Sequence, residues 1–489
     1  MSVKSCLPRL LVGKTLLTLC LLGMTPGAQA QADFDLPSLG DTSAGIMSRE
    51  QEYQLGRAWL GMLRGAVATK DDPLLKDYVE SHVYQLAETS QLVDRRLTFV
   101  VVDSPQLNAF AAPGGIIGIN GGLFLHAHTE GEFASVMAHE LAHLSQRHFS
   151  RNLEQQQRMS VPLMAAMLAS IVIAAAGGGD AGFAALASTQ AAAIQEQRRF
   201  SRQNEQEADR IGILNLEQAG YDPRAMPDMF ERLVRNSRFD RTPPEFLLTH
   251  PVTQSRIADS RNRAEQLAQD NGRRDSLEYQ MLRARVQLSY ETSPGVAVRR
   301  FQAQLDEHEG KHAPARYGLV LALTLGGQFE EAGQALQPLL EQQPDNLIVR
   351  LAEVELLRLQ GQSNAALTIV DQLLKIRPDN YPLMQSKIDL LLHQQRYQDA
   401  ERLSDRLTNQ RSDDPDVWYM AAEIRGLADN ITGLHMARAE YFMLAGDLDK
   451  ADEQLALAAR RVRDNFVMRS RVEARQQQLA RQREILDSF

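Results

Sequence analysis

Residues 137–151 read MAHELAHLSQRHFSR, placing a histidine at 139, a glutamate beside it at 140 and a second histidine at 143. Val136, Met137, Leu141, Leu144 and Phe149 recur at near-helical spacing with no Gly or Pro between them, so the stretch predicts a helix. On that helix His139 and His143 project from one side, one turn apart. Two imidazoles so placed can share one tetrahedral Zn²⁺, and Glu140, about 100° around the axis, reaches a water held by the metal. Such a centre would hydrolyse with a carboxylate as proton acceptor; the alternative is a surface helix whose histidines share one face incidentally. A catalytic zinc needs a third protein ligand, and Arg202–Asp222, RQNEQEADRIGILNLEQAGYD, is a helical stretch downstream with Glu205 and Asp209 one turn apart. Spacing alone does not choose between Glu205 and Glu207.

These residues need a scaffold, and the chain is long enough to build one. Its 489 residues, 44% apolar and 24% charged, describe an ordinary globular protein of two or more domains. The first thirty residues stand apart: Lys4, Arg9 and Lys14 precede LLTLCLLGM, and Ala28–Ala30 read AQA, the pattern of a secretory signal peptide cut after Ala30. Both cysteines, Cys6 and Cys20, fall inside it, so the mature chain would carry no thiol. Leu19 before Cys20 is not the small residue that a lipoprotein signal needs, which favours a soluble exported protein. Removal of the three cations moves the net charge from −9 to −12, which argues against nucleic acid as a partner. The apolar run 161–176 is shorter than the ~20 residues a spanning helix needs; it reads as a buried helix, a lid or a peripheral membrane contact.

The second half has a different periodicity. PDN recurs at 344–346 and 378–380, and GQFEEA, GQSNAA and QRYQDA end at Ala332, Ala366 and Ala400, all in 34-residue steps. Paired amphipathic helices at that period are the tetratricopeptide signature. GDLDKA at 446–451 is displaced by 51 residues from QRYQDA, which implies an insertion around 403–445, and SPGVAVRRF near 293–301 fits a first, weak repeat. The expected division is a signal peptide at 1–30, a metallopeptidase domain at 31–270 and a repeat domain at 276–489, with the junction in AQDNGRRD, Ala268–Asp275.

HExxH, then Glu-x-x-Ala-Asp at Glu205–Asp209, then THP at Thr249–Pro251 with Arg256 six residues after the histidine, resembles the HtpX-type and CAAX-prenyl-protease-type gluzincin metallopeptidases; NAFAAPGGIIGINGGLF, Asn108–Phe124, fits as well. The resemblance implies that Glu205 is the third ligand and that Asp209 orients a ligating histidine through its free ring nitrogen. It makes Gly115, Ile116, Ile117 and Gly118 part of a sheet-edge strand to which an extended substrate adds by main-chain hydrogen bonds. It places His250 and Arg256 beside the active site, either as oxyanion donors or with His250 as a fourth zinc ligand that displaces the catalytic water. The implied fold is mainly α with a small β-sheet in a zincin-like protease domain, followed by an all-α tetratricopeptide solenoid.

Signal peptide, gluzincin core and repeat array together are similar to the arrangement of the periplasmic β-barrel assembly-enhancing proteases of Gram-negative bacteria. That likeness implies a zinc metalloendopeptidase with chaperone-like activity, one Zn²⁺ per chain, and unfolded or misassembled outer-membrane proteins as clients. It further implies the β-barrel assembly machinery and the lipopolysaccharide-transport barrel as partners. The competing expectation is an assembly adaptor that works mainly through its repeats, its protease site latent.

Overall fold

The computed structural model describes residues 47–155, 172, 191–237, 244–268, 271–462 and 465–487. The expected signal peptide lies outside them, as does the apolar run 161–176 apart from Val172, which is buried beside Trp59 and Phe110. Among the described residues no helix is long and apolar enough to cross a membrane.

The chain opens with α1 (Arg49–Ala66), started by a reciprocal cap in which Ser48 and Gln51 each accept the other's backbone N–H, and α2 (Pro73–Thr89), capped by Asp72. A three-stranded sheet follows, with β1 (Thr98–Val102), β2 (Ala109–Ala112) and β3 (Ile116–Asn120) in the order β1-β3-β2. β1 pairs parallel to β3 and β2 antiparallel to it. The expected edge strand is therefore the central one. Ile116 and Ile117 are fully buried, Gly115 makes a left-handed turn (φ 77°), and a Cβ at Gly118 would strike the Phe110 ring. Both edges of β3 are engaged, so residues 115–118 have no free main chain to offer a peptide. Among the described residues β2 is the edge strand that packs against α4.

After α3 (Gly122–His126), α4 (Glu130–Ser145) carries the HExxH sequence, capped by Thr129 and buried from Glu130 to Ala142. A short α5 (His148–Gln155) precedes α6 (Ala191–Gln218), α7 (Ala225–Ser237), α8 (Glu245–Thr249) and α9 (Gln254–Leu267). Helix α6 crosses α4 at Gly212, where an added Cβ would come within 3.2 Å of the His139 nitrogen. That close approach sets Glu205 and Asp209, on the same face of α6 as Gly212, opposite the two histidines.

Among the described residues twelve more helices follow: α10 (Leu277–Ser289), α11 (Pro294–Glu307), α12 (Ala313–Leu325), α13 (Phe329–Gln342), α14 (Leu347–Leu359), α15 (Ser363–Ile376), α16 (Tyr381–His393), α17 (Tyr397–Gln410), α18 (Pro415–Leu427), α19 (Ile431–Leu444), α20 (Leu448–Arg461) and α21 (Phe466–Asp487). Left-handed turn residues recur at Gly327, Gly361, Gln395 and Asp429 in 34-residue steps, then at Gly446 after only 17. The repeat register thus runs through 415–444 without the expected insertion, and GDLDKA follows a half-repeat step. Sequence hid this because position 434, in line with Ala332, Ala366 and Ala400, is a leucine; the small residue has moved to the facing helix, where a Cβ on Gly426 would come 2.8 Å from Leu434 Cδ1.

The array packs directly on the catalytic part. One apolar core runs from Leu75 on α2 through Phe133 on α4 to Tyr279, Phe301 and Tyr317 on the first repeats. Tyr279 is fully buried, stacks on Phe124 at 5.7 Å and donates its hydroxyl to Ala127 O at 2.8 Å. Ion pairs fasten the flank: Lys76 with Asp414 and Asp416, Arg285 with Asp72, and Arg411 with Glu80.

Candidate active site

His139 and His143 present their Nε2 atoms 3.1 Å apart. Glu205 reaches both, at 3.3 Å and 3.4 Å, and His250 Nδ1 stands 3.3 Å from His139 Nε2 and 3.1 Å from each Glu205 oxygen. Four donors of the types zinc prefers therefore converge within 4.8 Å of one another. Ligands at about 2.0–2.1 Å from a tetrahedral zinc would be separated by roughly 3.3 Å, so the spacing fits such an ion. The residues also fit by charge. Burial opposes charge on His139, yet Asp209 and Glu205 overcome it and raise its pKa to about 10. The Glu205 carboxylate that favours a proton there would also favour a cation. Burial likewise opposes ionisation of Glu205, but His250, His139 and His143 hold its carboxyl well below the usual range.

Each histidine of α4 has a polar partner behind it. Asp209 Oδ1 lies 3.1 Å from His139 Nδ1, and Arg256 grips Asp209 with two hydrogen bonds of 2.7 Å. The remaining Arg256 amine donates to Pro251 O at 2.7 Å and lies 3.0 Å from Glu205. With all three of its nitrogens engaged, Arg256 supports Asp209, Glu205 and the His250 loop. Behind His143 stands His148, Nδ1 to Nδ1 at 2.8 Å, with Glu207 3.2 Å from His148 Nε2 and Arg151 paired to Glu207 at 2.9 Å. Glu207, which spacing left open as a ligand, faces away from the cluster. Burial lowers the pKa of His143 to about 3 and that of His148 to about 4, keeping both rings neutral.

Glu140 is 1% exposed, and burial raises its pKa. The backbone N–H of Ala111 on β2 works against that rise, and His250 Nε2 lies 3.4 Å from its Oε1. His250 is held over the site by α8: Asn108 Nδ2 donates to Glu245 Oε2 at 3.2 Å, and Phe246 N donates to Leu107 O at 3.4 Å. His139, Glu140, Glu205 and His250 are buried, and the His143 side chain is 14% exposed. A cleft of about 670 Å³ lies elsewhere, lined by Arg57, Arg64, Trp418 and Arg475. Sequence reasoning did not pick out His148, Gly212 or Glu245, and it met Asn108 and Ala111 only as part of the Asn108–Phe124 stretch, with no role of their own. His148 carried one signal, a third histidine five residues after His143.

Residues 73–264 match peptidase family M48, and residues 357–424 match the tetratricopeptide repeat. The beta-barrel assembly-enhancing protease of Escherichia coli (strain K12) is 33% identical over 471 residues, covering 95% of each chain. The protein of the same name from Yersinia pestis is 34% identical over 343 residues, 69% of this chain and 70% of its own. The mitochondrial metalloendopeptidase OMA1 of Arabidopsis thaliana is 31% identical over 170 residues, 35% of this chain and 32% of its own.

Proposed function

The chain belongs to the beta-barrel assembly-enhancing proteases and is a metalloprotease; from that premise we propose a periplasmic zinc endopeptidase that assists assembly of outer-membrane β-barrel proteins and degrades those that stall. The spacing of His139, His143, Glu205 and His250 carries the zinc assignment. Zn²⁺ in this donor set would acidify a water and polarise the scissile carbonyl. Glu140, buried beside the cluster, takes a proton from the attacking water and returns it to the leaving amine. The outer edge of β2, beside Glu140, supplies main-chain groups that align an extended substrate without reading its sequence. Clients would be unfolded outer-membrane proteins, and the partners their assembly machinery and the lipopolysaccharide-transport barrel. The repeats select them, and the catalytic centre cuts.

With His250 as a fourth donor, a four-coordinate zinc would keep no position for water, so the arrangement would be latent and cleavage would require α8 to withdraw. That closure also favours a second reading, in which the chain spends much of its time as an assembly adaptor. Purified mature protein should contain near-stoichiometric zinc, and Glu140→Gln should keep it while losing about 10²–10⁴ in cleavage rate. Unchanged cleavage would remove Glu140 from its role, and absent zinc would remove the metal assignment. Rescue of an outer-membrane defect by Glu140→Gln would favour the adaptor.

A further inference from the structure

We propose that His148 and Glu207 are positioning residues for His143, forming a hydrogen-bonded relay that fixes the tautomer and orientation of a metal-binding imidazole. The inference rests on the reading of His143 as a ligand. An imidazole that gives its Nε2 lone pair to a cation must carry its proton on Nδ1. His143 Nε2 faces the cluster, and its Nδ1 stands 2.8 Å from His148 Nδ1. His148 Nδ1 must then accept, which places the His148 proton on Nε2. That nitrogen is 3.2 Å from Glu207 Oε2, and Glu207 is in turn paired with Arg151. Every link has one donor and one acceptor, and the direction is set from the metal outward.

The backbone is shaped to make this contact. His148 could not face His143 from a continuous helix, where a separation of five residues points away. Helix α4 ends at Ser145, and Arg147 takes a left-handed conformation (φ 50°) that is unfavourable for a side chain with a Cβ. Arg147 is held there by bonds to Glu52 Oε2 at 3.0 Å and Met47 O at 2.7 Å, and Ser150 donates to the same Glu52 oxygen at 2.9 Å. The reversal returns His148 onto the free edge of the His143 ring. The two histidines thus receive matching support: His139 from Asp209 and Arg256, His143 from His148, Glu207 and Arg151.

The test is zinc affinity of the full mature chain, measured by competition with a chromophoric chelator, alongside thermal midpoints of the metal-free proteins. His148→Leu should weaken zinc binding about 10–100-fold without lowering the metal-free midpoint. His148→Asn, whose side-chain oxygen can accept from His143 and whose amide can donate to Glu207, should recover most of that loss. Glu207→Ala, at a half-exposed position that tolerates truncation, should lose less than His148→Leu but in the same direction. Equal affinity for wild type and His148→Leu overturns the relay, as does His148→Asn binding no better than His148→Leu. His143→Ala separates the levels: undiminished zinc affinity in that variant would overturn the ligand assignment itself.

Discussion

His250 touches both halves of the chemistry at once, its Nε2 3.4 Å from the Glu140 carboxylate and its Nδ1 3.1 Å from Glu205. On the proposed reading, this one imidazole would occupy the position that a metal-bound water needs.

Replacing it should release the enzyme. His250→Ala is expected to cleave an unfolded model substrate faster than wild type, on the order of tenfold if the closed arrangement is favoured by about 1.4 kcal/mol. Loss of cleavage with zinc retained would instead mark His250 as a donor to the oxyanion.

Gly212→Ala tests how α6 delivers the third ligand. On an exposed helix the change would stabilise by about 1 kcal/mol. Here the new methyl would sit 2.9 Å from Met226 Cε and 3.2 Å from the His139 nitrogen, and the backbone of α4 cannot yield as a methionine end can. A destabilisation of about 1–3 kcal/mol and weaker zinc binding are expected together, read by thermal unfolding and chelator competition. A raised midpoint would show that the two helices have room to spare.

His82 sets an acid limit on stability remote from the metal. Burial on α2, with Arg273 nearby, lowers its pKa from 6.5 to about 3; Glu130, Tyr78 and Tyr221 are the other titratable groups facing it. The folded chain holds this ring neutral while the unfolded chain protonates it near 6.5. The contribution is complete above that pH and is lost as pH falls toward 3, at up to about 1.4 kcal/mol per unit. His82→Phe should flatten the dependence of the melting midpoint on pH between 6.5 and 4. An unchanged slope would assign the acid sensitivity to other groups.

What could be read beforehand was set by local spacing. His139, Glu140 and His143 fix their own geometry once the helix is recognised, and Glu205 with Asp209 follow the same one-turn rule. The 34-residue period survived because small residues recur at 332, 366 and 400. Long-range pairing left no comparable trace. Ile116–Asn120 reads identically as a central or an edge strand, since the order β1-β3-β2 depends on partners elsewhere. His148 reaches His143 only through the left-handed turn at Arg147, a conformation that nothing in the residue type announces. Arg256 carries a charge that suits catalysis or scaffolding, and its bonds to Asp209 and Pro251, invisible in the sequence, support scaffolding.

The aromatic seam at Tyr279 also imposes an order in time. A chain that emerges amino end first exposes the HExxH helix well before residue 279 follows it, and until then Phe124 and Phe133 lack the ring that covers them. Phe301 and Tyr317, later still, complete the same core. The catalytic helix thus reaches its final packing only after the first repeats have arrived, so a half-delivered chain has no finished blade with which to cut itself or its neighbours.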